Sequence, residues 1–311
     1  MKSRLSSPIL LATILAIDVP ARAQVARLEL RSPDEPIHAF ERTPDRDWRT
    51  TIKTADGLER EFIYVPPTKI APELQVALSW IRADNHVQVQ YDYRIANGPT
   101  ARQQLARLSI GAVQSLTLSV KQLPAGWTLT NPQRPGNVSL YGPLKDGKSS
   151  GLRPGTVDVL ILEGRMLPGV VVVRAISDAS GAVEVPPGLT DTQYRELDLL
   201  SKVATVDAPA IGPAIPIGLG ESELTFDIVL SRIVGHYSAQ FALYRHPLGP
   251  DIARILVGVV RSGVSDDDAQ VRQALVSVRD LSMKAVKDPW HRQLSDALGL
   301  CMDALLSGSI P

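Results

Sequence analysis

The segment GPLKDGKSSG, at residues 142–151, fits the spacing of two motifs that carry chemistry in other proteins. One is the P-loop, in which Lys148 would contact phosphate, and the other is the nucleophile elbow, in which Ser149 would attack an acyl group. Both motifs require a helix directly after them. Residues 150–155 are typical of turns instead, so we expect an exposed loop with no catalytic or phosphate-binding role. The matching positions are Gly142, Gly147, Lys148, Ser149 and Gly151.

Metal-binding patterns are absent from the sequence. The histidines have no spacing typical of zinc ligands, and His236 falls within a predicted helix. The run Asp266–Asp268 follows Ser265, which is what the start of a helix favours, because negative charge there meets the positive end of the helix dipole. We therefore predict no metal, no cofactor and no catalytic residue. The five histidines are His38, His86, His236, His246 and His291.

Acidic residues far apart in sequence leave one catalytic alternative open. Carboxylates and a histidine brought together by folding could hydrolyse an envelope polymer. A pocket that gathers two of these carboxylates with raised pKa values would favour such a hydrolase, whereas a flat apolar patch would favour binding. The residues concerned are His86, Asp92, Asp146, Asp158 and Glu163.

Aromatic residues could also form a platform that stacks on sugars. Only 5% of the chain is aromatic, however, and Tyr91 and Tyr93 alternate in step with apolar residues, which indicates a core face. Trp127, in the segment LPAGW, is the better candidate for an exposed aromatic side chain. The residues that could bind a partner are not identified by the sequence.

Residues 1–23 have the layout of a bacterial secretory signal. Lys2 and Arg4 precede the short apolar run 9–17, and Ala21-Arg22-Ala23 gives a small-x-small cleavage site before Gln24. The apolar run is far shorter than the roughly 20 residues that span a bilayer. We expect an exported, periplasmic or extracellular protein with no stable membrane insertion after signal cleavage.

Charge and cysteine content limit the class of partner and the disulfides that can form. Cleavage would leave 30 basic and 32 acidic residues, and a nucleic-acid partner is not expected because binding phosphate needs a surplus of basic residues. Cys301 is the single cysteine, so no intramolecular disulfide can form. Its place on the apolar stripe of a predicted helix indicates a small buried side chain.

The first half of the chain has the pattern of strands. Residues 86–95 alternate apolar and polar side chains, and turn residues follow at 97–99. Apolar runs at 157–162 and 170–173 suit inner strands. Because short strands and turns recur without helices between them, we predict an antiparallel β-sandwich over residues 24–187.

After residue 187 the apolar residues recur with the period of a helix. Thr190 and Gln193 have the spacing of a capping box and begin a short helix with an apolar face at Tyr194, Leu197 and Leu200. Residues 207–220 contain three prolines and three glycines, which predicts a linker without regular structure. Residues 188–220 thus form a short helix and linker. Residues 221–311 predict an antiparallel module of about four helices.

Four segments show a layout that resembles exported bacterial proteins of uncharacterised function. They are VQVQYDYRIANGPTARQQLARLSI, LPAGW, GLRPGT and MLPG, within about residues 86–170. The resemblance implies an immunoglobulin-like or similar sandwich and carries no catalytic residues. The C-terminal helices resemble the small helical modules that end some bacterial surface proteins.

The sequence therefore predicts an α+β fold, with an N-terminal antiparallel immunoglobulin-like β-sandwich followed by a C-terminal antiparallel helical module. We expect a non-catalytic binding module for a protein or cell-envelope component. An exported hydrolase of envelope polymers and a structural envelope protein are the alternatives.

Overall fold

The structure is a computed structural model that describes residues 37–83, 86–111, 118–130, 137–145, 148–177, 185–201, 205–217, 225–262, 269–284 and 286–307. The proposed secretory signal, 1–23, lies outside these residues, as do Asp146, the Ser265 cap and Asp266–Asp268. Residues 39–311 form one compact unit.

The described strands form four antiparallel sheets. A three-stranded sheet has the order β1-β2-β3, a hairpin pairs β10 with β11, a four-stranded sheet has the order β4-β5-β12-β7, and a five-stranded sheet has the order β14-β13-β6-β9-β8. The strands are β1 (Glu41–Arg42), β2 (Trp48–Lys53), β3 (Glu59–Tyr64), β4 (Pro72–Ala83), β5 (His86–Asn97), β6 (Arg107–Gly111), β7 (Leu118–Gln122), β8 (Thr128–Thr130), β9 (Asn137–Tyr141), β10 (Leu144–Lys145), β11 (Lys148–Ser149), β12 (Thr156–Gly164), β13 (Met166–Ile176) and β14 (Val206–Pro216).

The alternation along β5 places its tyrosines between the two larger sheets. Tyr91 and Tyr93 are fully buried, as predicted. The Tyr91 hydroxyl donates to the Met166 carbonyl at 2.7 Å, and the Tyr93 hydroxyl donates to the Ile211 carbonyl at 3.1 Å. Each hydroxyl, buried with its ring, thus has a carbonyl acceptor on the five-stranded sheet, which removes the cost of burying an unpaired polar group.

The described part of the chain also contains five helices: α1 (Asp191–Ser201), α2 (Phe226–Leu243), α3 (Gly249–Ser262), α4 (Ala269–Ser282) and α5 (Pro289–Leu306). The predicted cap of α5 is confirmed, since Asp288 accepts the His291 amide at 3.0 Å and Pro289 occupies the first helical position. α2 and α5 pack on β13 and β14, and α3 and α4 pack beside them.

Helices and sheets share one hydrophobic core. β13 lies between the four-stranded sheet and the helices, and residues 166–171 are buried on both of its faces. This explains the continuous apolar run in its sequence, since neither face meets water. Cys301 is buried in this core, as expected.

The predicted linker at 207–220 is wrong over residues 207–216, which belong to the edge strand β14. Proline cannot donate to a ladder, but on an edge strand alternate amides point away from the neighbouring strand, so Pro209 and Pro213 are tolerated there. A register shift opposite Leu167 and Pro168 further accommodates the prolines. The prolines of this segment therefore mark the edge of a sheet and not a flexible linker between domains.

The capping box that begins α1 is confirmed: the Thr190 amide donates to Gln193 Oε1 at 2.9 Å, and the Gln193 amide donates to Thr190 Oγ1 at 3.3 Å. Its apolar face was predicted incorrectly at Tyr194, which is 56% exposed. Gln193 is buried instead, and its amide nitrogen donates to Thr50 Oγ1 at 2.7 Å. This polar contact fixes α1 on β2.

Trp127, the better of the candidates for an exposed aromatic side chain, is buried instead, at 5% exposure. Its amide donates to the Pro124 carbonyl at 3.0 Å in a turn, and its side chain belongs to the main core. The fold is therefore α+β, with antiparallel sheets and helices around a common core. None of the described helices is both long and apolar enough to cross a membrane.

Candidate functional site

The segment that matches the P-loop and elbow motifs lies in and around the hairpin of β10 and β11. Lys148 pairs with Lys145 in that hairpin. Residues 150–155 contain no helix, and β12 follows at Thr156. A phosphate site or a nucleophile elbow needs the N-terminus of a helix at this point, so the described geometry supports neither chemistry.

A serine and a histidine that the sequence does not bring together lie side by side between α5 and the loop after α2. His246 Nε2 is 2.9 Å from Ser295 Oγ, and both residues are almost fully buried. The pair has the separation of a nucleophile and its general base. It was missed because 49 residues separate the two in sequence.

The hydrogen bonds of His246 exclude that chemistry. The Leu248 amide donates to His246 Nδ1 at 3.2 Å, so in the neutral ring the proton is on Nε2. Nε2 therefore donates to Ser295 Oγ, whereas a general base would have to accept the serine proton. Burial and the neighbouring His291 lower the pKa of His246. Together these contacts link the loop after α2 to α5.

His291 continues this cluster. Its Nε2 donates to the Tyr244 carbonyl at 2.7 Å, and its ring centroid lies 5.0 Å from that of His246. The Tyr244 ring stacks on Trp290 with centroids 5.1 Å apart. These contacts stabilise the fold, since each polar atom named here forms its hydrogen bond with another residue of the chain.

His236 lies against Gly169 of β13, close to the register shift between β13 and β14. A Cβ atom on Gly169 would lie 2.8 Å from His236 Nε2 and 2.6 Å from Ala214 Cβ, so only glycine fits there. Nε2 is buried and has no hydrogen-bond partner among the described residues. Burial lowers the pKa of His236 to about 4, which keeps the ring neutral near pH 7.

Next to His236, the thiol of Cys301 and the hydroxyl of Tyr237 share the Pro168 carbonyl, at 3.7 and 2.9 Å. Burial raises the pKa of Cys301 to about 12. A thiol with such a pKa is protonated at neutral pH and is a poor nucleophile. The region is a packed core contact rather than a reactive site.

The carboxylates considered for hydrolysis do not form a cleft in the described residues. Asp92 and Glu163 lie on the same face of the four-stranded sheet, where Asp92 accepts from Gln90 Nε2 at 2.8 Å and Glu163 pairs with Lys121 at 3.3 Å. Asp158 lies on the opposite face of this sheet, where its carboxylate accepts a hydrogen bond from the Ala125 amide at 2.9 Å. The side chain of His86 lies outside the described part of the structure, as does Asp146.

The face that carries Asp92 and Glu163 is the side of the four-stranded sheet opposite the buried tyrosines, and we call it the outer face. Val157 and Val159 on this face are 44% and 36% exposed. The register places Arg94 opposite Val159, and Asp92 opposite Ile161. The face is thus apolar along β12, with charges of both signs around it. Its members are Glu73, Gln75, Ala77, Ser79, Ile81, Gln88, Gln90, Asp92, Arg94, Ala96, Val157, Val159, Ile161 and Glu163, and Lys121 of β7 forms an ion pair with Glu163.

A second apolar surface lies between α3 and α4. It is an open groove of about 480 Å³. Its lining carries no ionisable side chain, so it offers contact area but no acid–base chemistry. The lining residues are Ile255, Ala269, Gln270, Gln273, Ala274 and Ser277.

Among the described residues, no three His, Cys, Asp or Glu side chains lie close enough together to hold a metal ion. No protein-family model matches the chain, and no curated protein matches it in sequence. The function is therefore inferred from the described structure alone. That structure offers an open surface of apolar and charged residues on the four-stranded sheet.

Proposed function

We propose that this protein is an exported, non-catalytic binding module whose outer face docks a protein or another component of the cell envelope. The observation that carries this proposal is the exposure of Val157 and Val159 on the inner strand β12, in the part of it that extends past its pairing with β7. An open apolar strip with polar neighbours is the usual make-up of a protein-binding surface. Arg94 and Asp92 beside it would set the orientation of the partner.

The proposed architecture of the binding part is an immunoglobulin-like sandwich, formed by the four-stranded and five-stranded sheets. Two antiparallel sheets that share buried side chains support it. In such folds, function resides in surfaces and loops rather than in the core. The export proposal rests on the sequence of residues 1–23.

A protein partner fits the outer face better than a polyanionic polymer does. Glu73, Asp92 and Glu163 are acidic, and Arg94 and Lys121 are basic, so the face has no surplus of basic residues. A polyanion would need a basic surface to release its counterions. Alternating charges around an apolar strip instead suit a partner with complementary side chains.

The test is capture of partners from an envelope extract of the producing cell by three immobilised proteins: the full chain, Val159→Arg and Val260→Arg. Val260 on α3 is 37% exposed, against 36% for Val159, so it is a matched control for the new charge. We expect a partner, identified by mass spectrometry, to be held by the full chain and by Val260→Arg, and to be lost with Val159→Arg. Equal retention by all three proteins, or by none, would contradict the proposed surface.

A further inference from the structure

Among the described residues, β4 forms one edge of the four-stranded sheet. β4 pairs with β5 on one side, and no described strand pairs with its other side. At the start of the ladder the Gly98 amide donates to the Ala71 carbonyl at 2.7 Å, and these two residues are opposite each other in the continued register. Because hydrogen-bonded positions alternate along an antiparallel strand, the even-numbered residues from Pro72 onward direct their backbone groups to the free edge.

The position of proline agrees with this assignment. Pro72 has no N–H, and at an edge-facing position it forfeits no bond to β5. The residues with edge-facing N–H and C=O groups are then Leu74, Val76, Leu78 and Trp80. Their side chains lie on the core side of the sheet but are only partly buried.

Between residues 74 and 81, this edge lacks the features that normally prevent strands of different molecules from pairing. Such features are prolines, charges, bulges and short length. β14, at an edge of the other large sheet, contains Pro209 and Pro213, and β7, at the opposite edge of this sheet, carries Lys121. Residues 74–81 of β4 contain no proline and no charged residue. The edge is therefore suited to pairing.

We propose that β4 pairs antiparallel with β4 of a second copy of this chain, about a twofold axis at Ala77. In this register Leu74 faces Trp80 of the other copy, Val76 faces Leu78, and Gln75 faces Ser79. Apolar residues thus meet apolar ones on the core side, and polar residues meet polar ones on the outer face. This self-complementary pattern is what an isologous contact requires, and it identifies the occupant as a second copy.

The backbone groups of this register also match. The four edge-facing residues of each copy oppose one another, which gives about eight new hydrogen bonds. No charged residue between 74 and 81 meets a like charge. The twofold axis lies perpendicular to the sheet, so the outer faces of both copies lie on the same side, and pairing stops at two copies.

The test places charges at the axis. Ala77 is exposed, and its side chain would directly face its own copy. We expect sedimentation of the full chain over roughly 1–200 μM to show a monomer–dimer equilibrium, because a contact of this size is at the weak end of protein interfaces. Ala77→Lys and Ala77→Glu should each weaken pairing at least about tenfold by like-charge repulsion. An equimolar mixture of the two variants should restore the dimer.

Two controls keep this test specific. Ala239→Lys adds the same charge at an exposed position on α2 and should leave the dimer unchanged. Val159→Arg, two strands away on β12, should also leave it unchanged, so that failure of the binding surface and failure of this edge are distinguishable. A monomeric wild-type chain, a dimer that persists in Ala77→Lys, or a mixture that stays monomeric would each overturn the proposal.

Discussion

Lowering the pH should destabilise the fold through His236. Burial lowers the pKa of this histidine to about 4, against 6.5 for an accessible ring. Between these values the unfolded state binds a proton that the folded state does not, so stability falls as the pH falls. The packing around the ring explains the shift, since Gly169, Ala214 and Tyr237 offer no charge to stabilise an imidazolium ion.

The magnitude follows from proton linkage. A pKa difference of this size lowers the free energy of unfolding by about 3 kcal/mol between pH 7.5 and pH 4, with most of the loss below pH 6.5. His246 also lowers stability on acidification, because its pKa is lowered too, and carboxylates become protonated near pH 4 as well. The contribution of His236 must therefore be measured as a difference between two proteins.

The assay is urea unfolding of the wild type and of His236→Gln at several pH values from 7.5 to 4. Glutamine is neutral throughout this range, so the wild type should lose about 3 kcal/mol more than the variant on acidification. His38→Gln serves as a second reference, because it removes a histidine from outside the core. If the stability of the wild type and of His236→Gln declined in parallel, the inferred burial of a neutral ring would be refuted.

Three further predictions concern the core. Ser295→Ala leaves the buried Nε2–H of His246 without its acceptor and should lower the free energy of unfolding by about 1–3 kcal/mol, measured in urea. Ser231→Ala, at an exposed position on α2, is the control and should change this free energy by less than about 0.5 kcal/mol. Equal effects of the two substitutions would contradict the hydrogen bond. Gly169→Ala forces a Cβ within 2.6 Å of Ala214 Cβ and should lower stability by about 1–3 kcal/mol. Gly258→Ala, which meets nothing within 4 Å on α3, should raise stability by about 0.5–1 kcal/mol, and a gain from both alanines would refute the close packing. Cys301 should not react with a thiol reagent until the protein unfolds, because it is buried and its pKa is about 12; rapid labelling of the native protein would contradict its position.

Elements defined by short-range bonds could be predicted from the sequence. The capping box of α1 and the Asp288 cap of α5 each depend on residues three apart. The alternation along β5 similarly identified which side chains are buried. These features depend on local geometry, which a few neighbouring residues determine.

The errors all concern residues whose environment depends on distant segments. Trp127 was the better candidate for an exposed aromatic side chain, but it lies in the core. Tyr194 continues an apolar period, yet α1 buries Gln193 because Thr50 supplies a partner from another element. An amphipathic pattern describes which side chains could be buried, and only the opposing surface decides which ones are.

The sequence by itself determined the types of most elements and the antiparallel character of the strands. The tertiary structure decided that residues 206–216 are an edge strand, because their prolines are acceptable only where alternate amides have no ladder partner. It also decided the proton position in the Ser295–His246 pair and the exposure of Val157 and Val159. Each of these properties depends on contacts between residues far apart along the chain, and such contacts exist only once the sheets and helices have packed together.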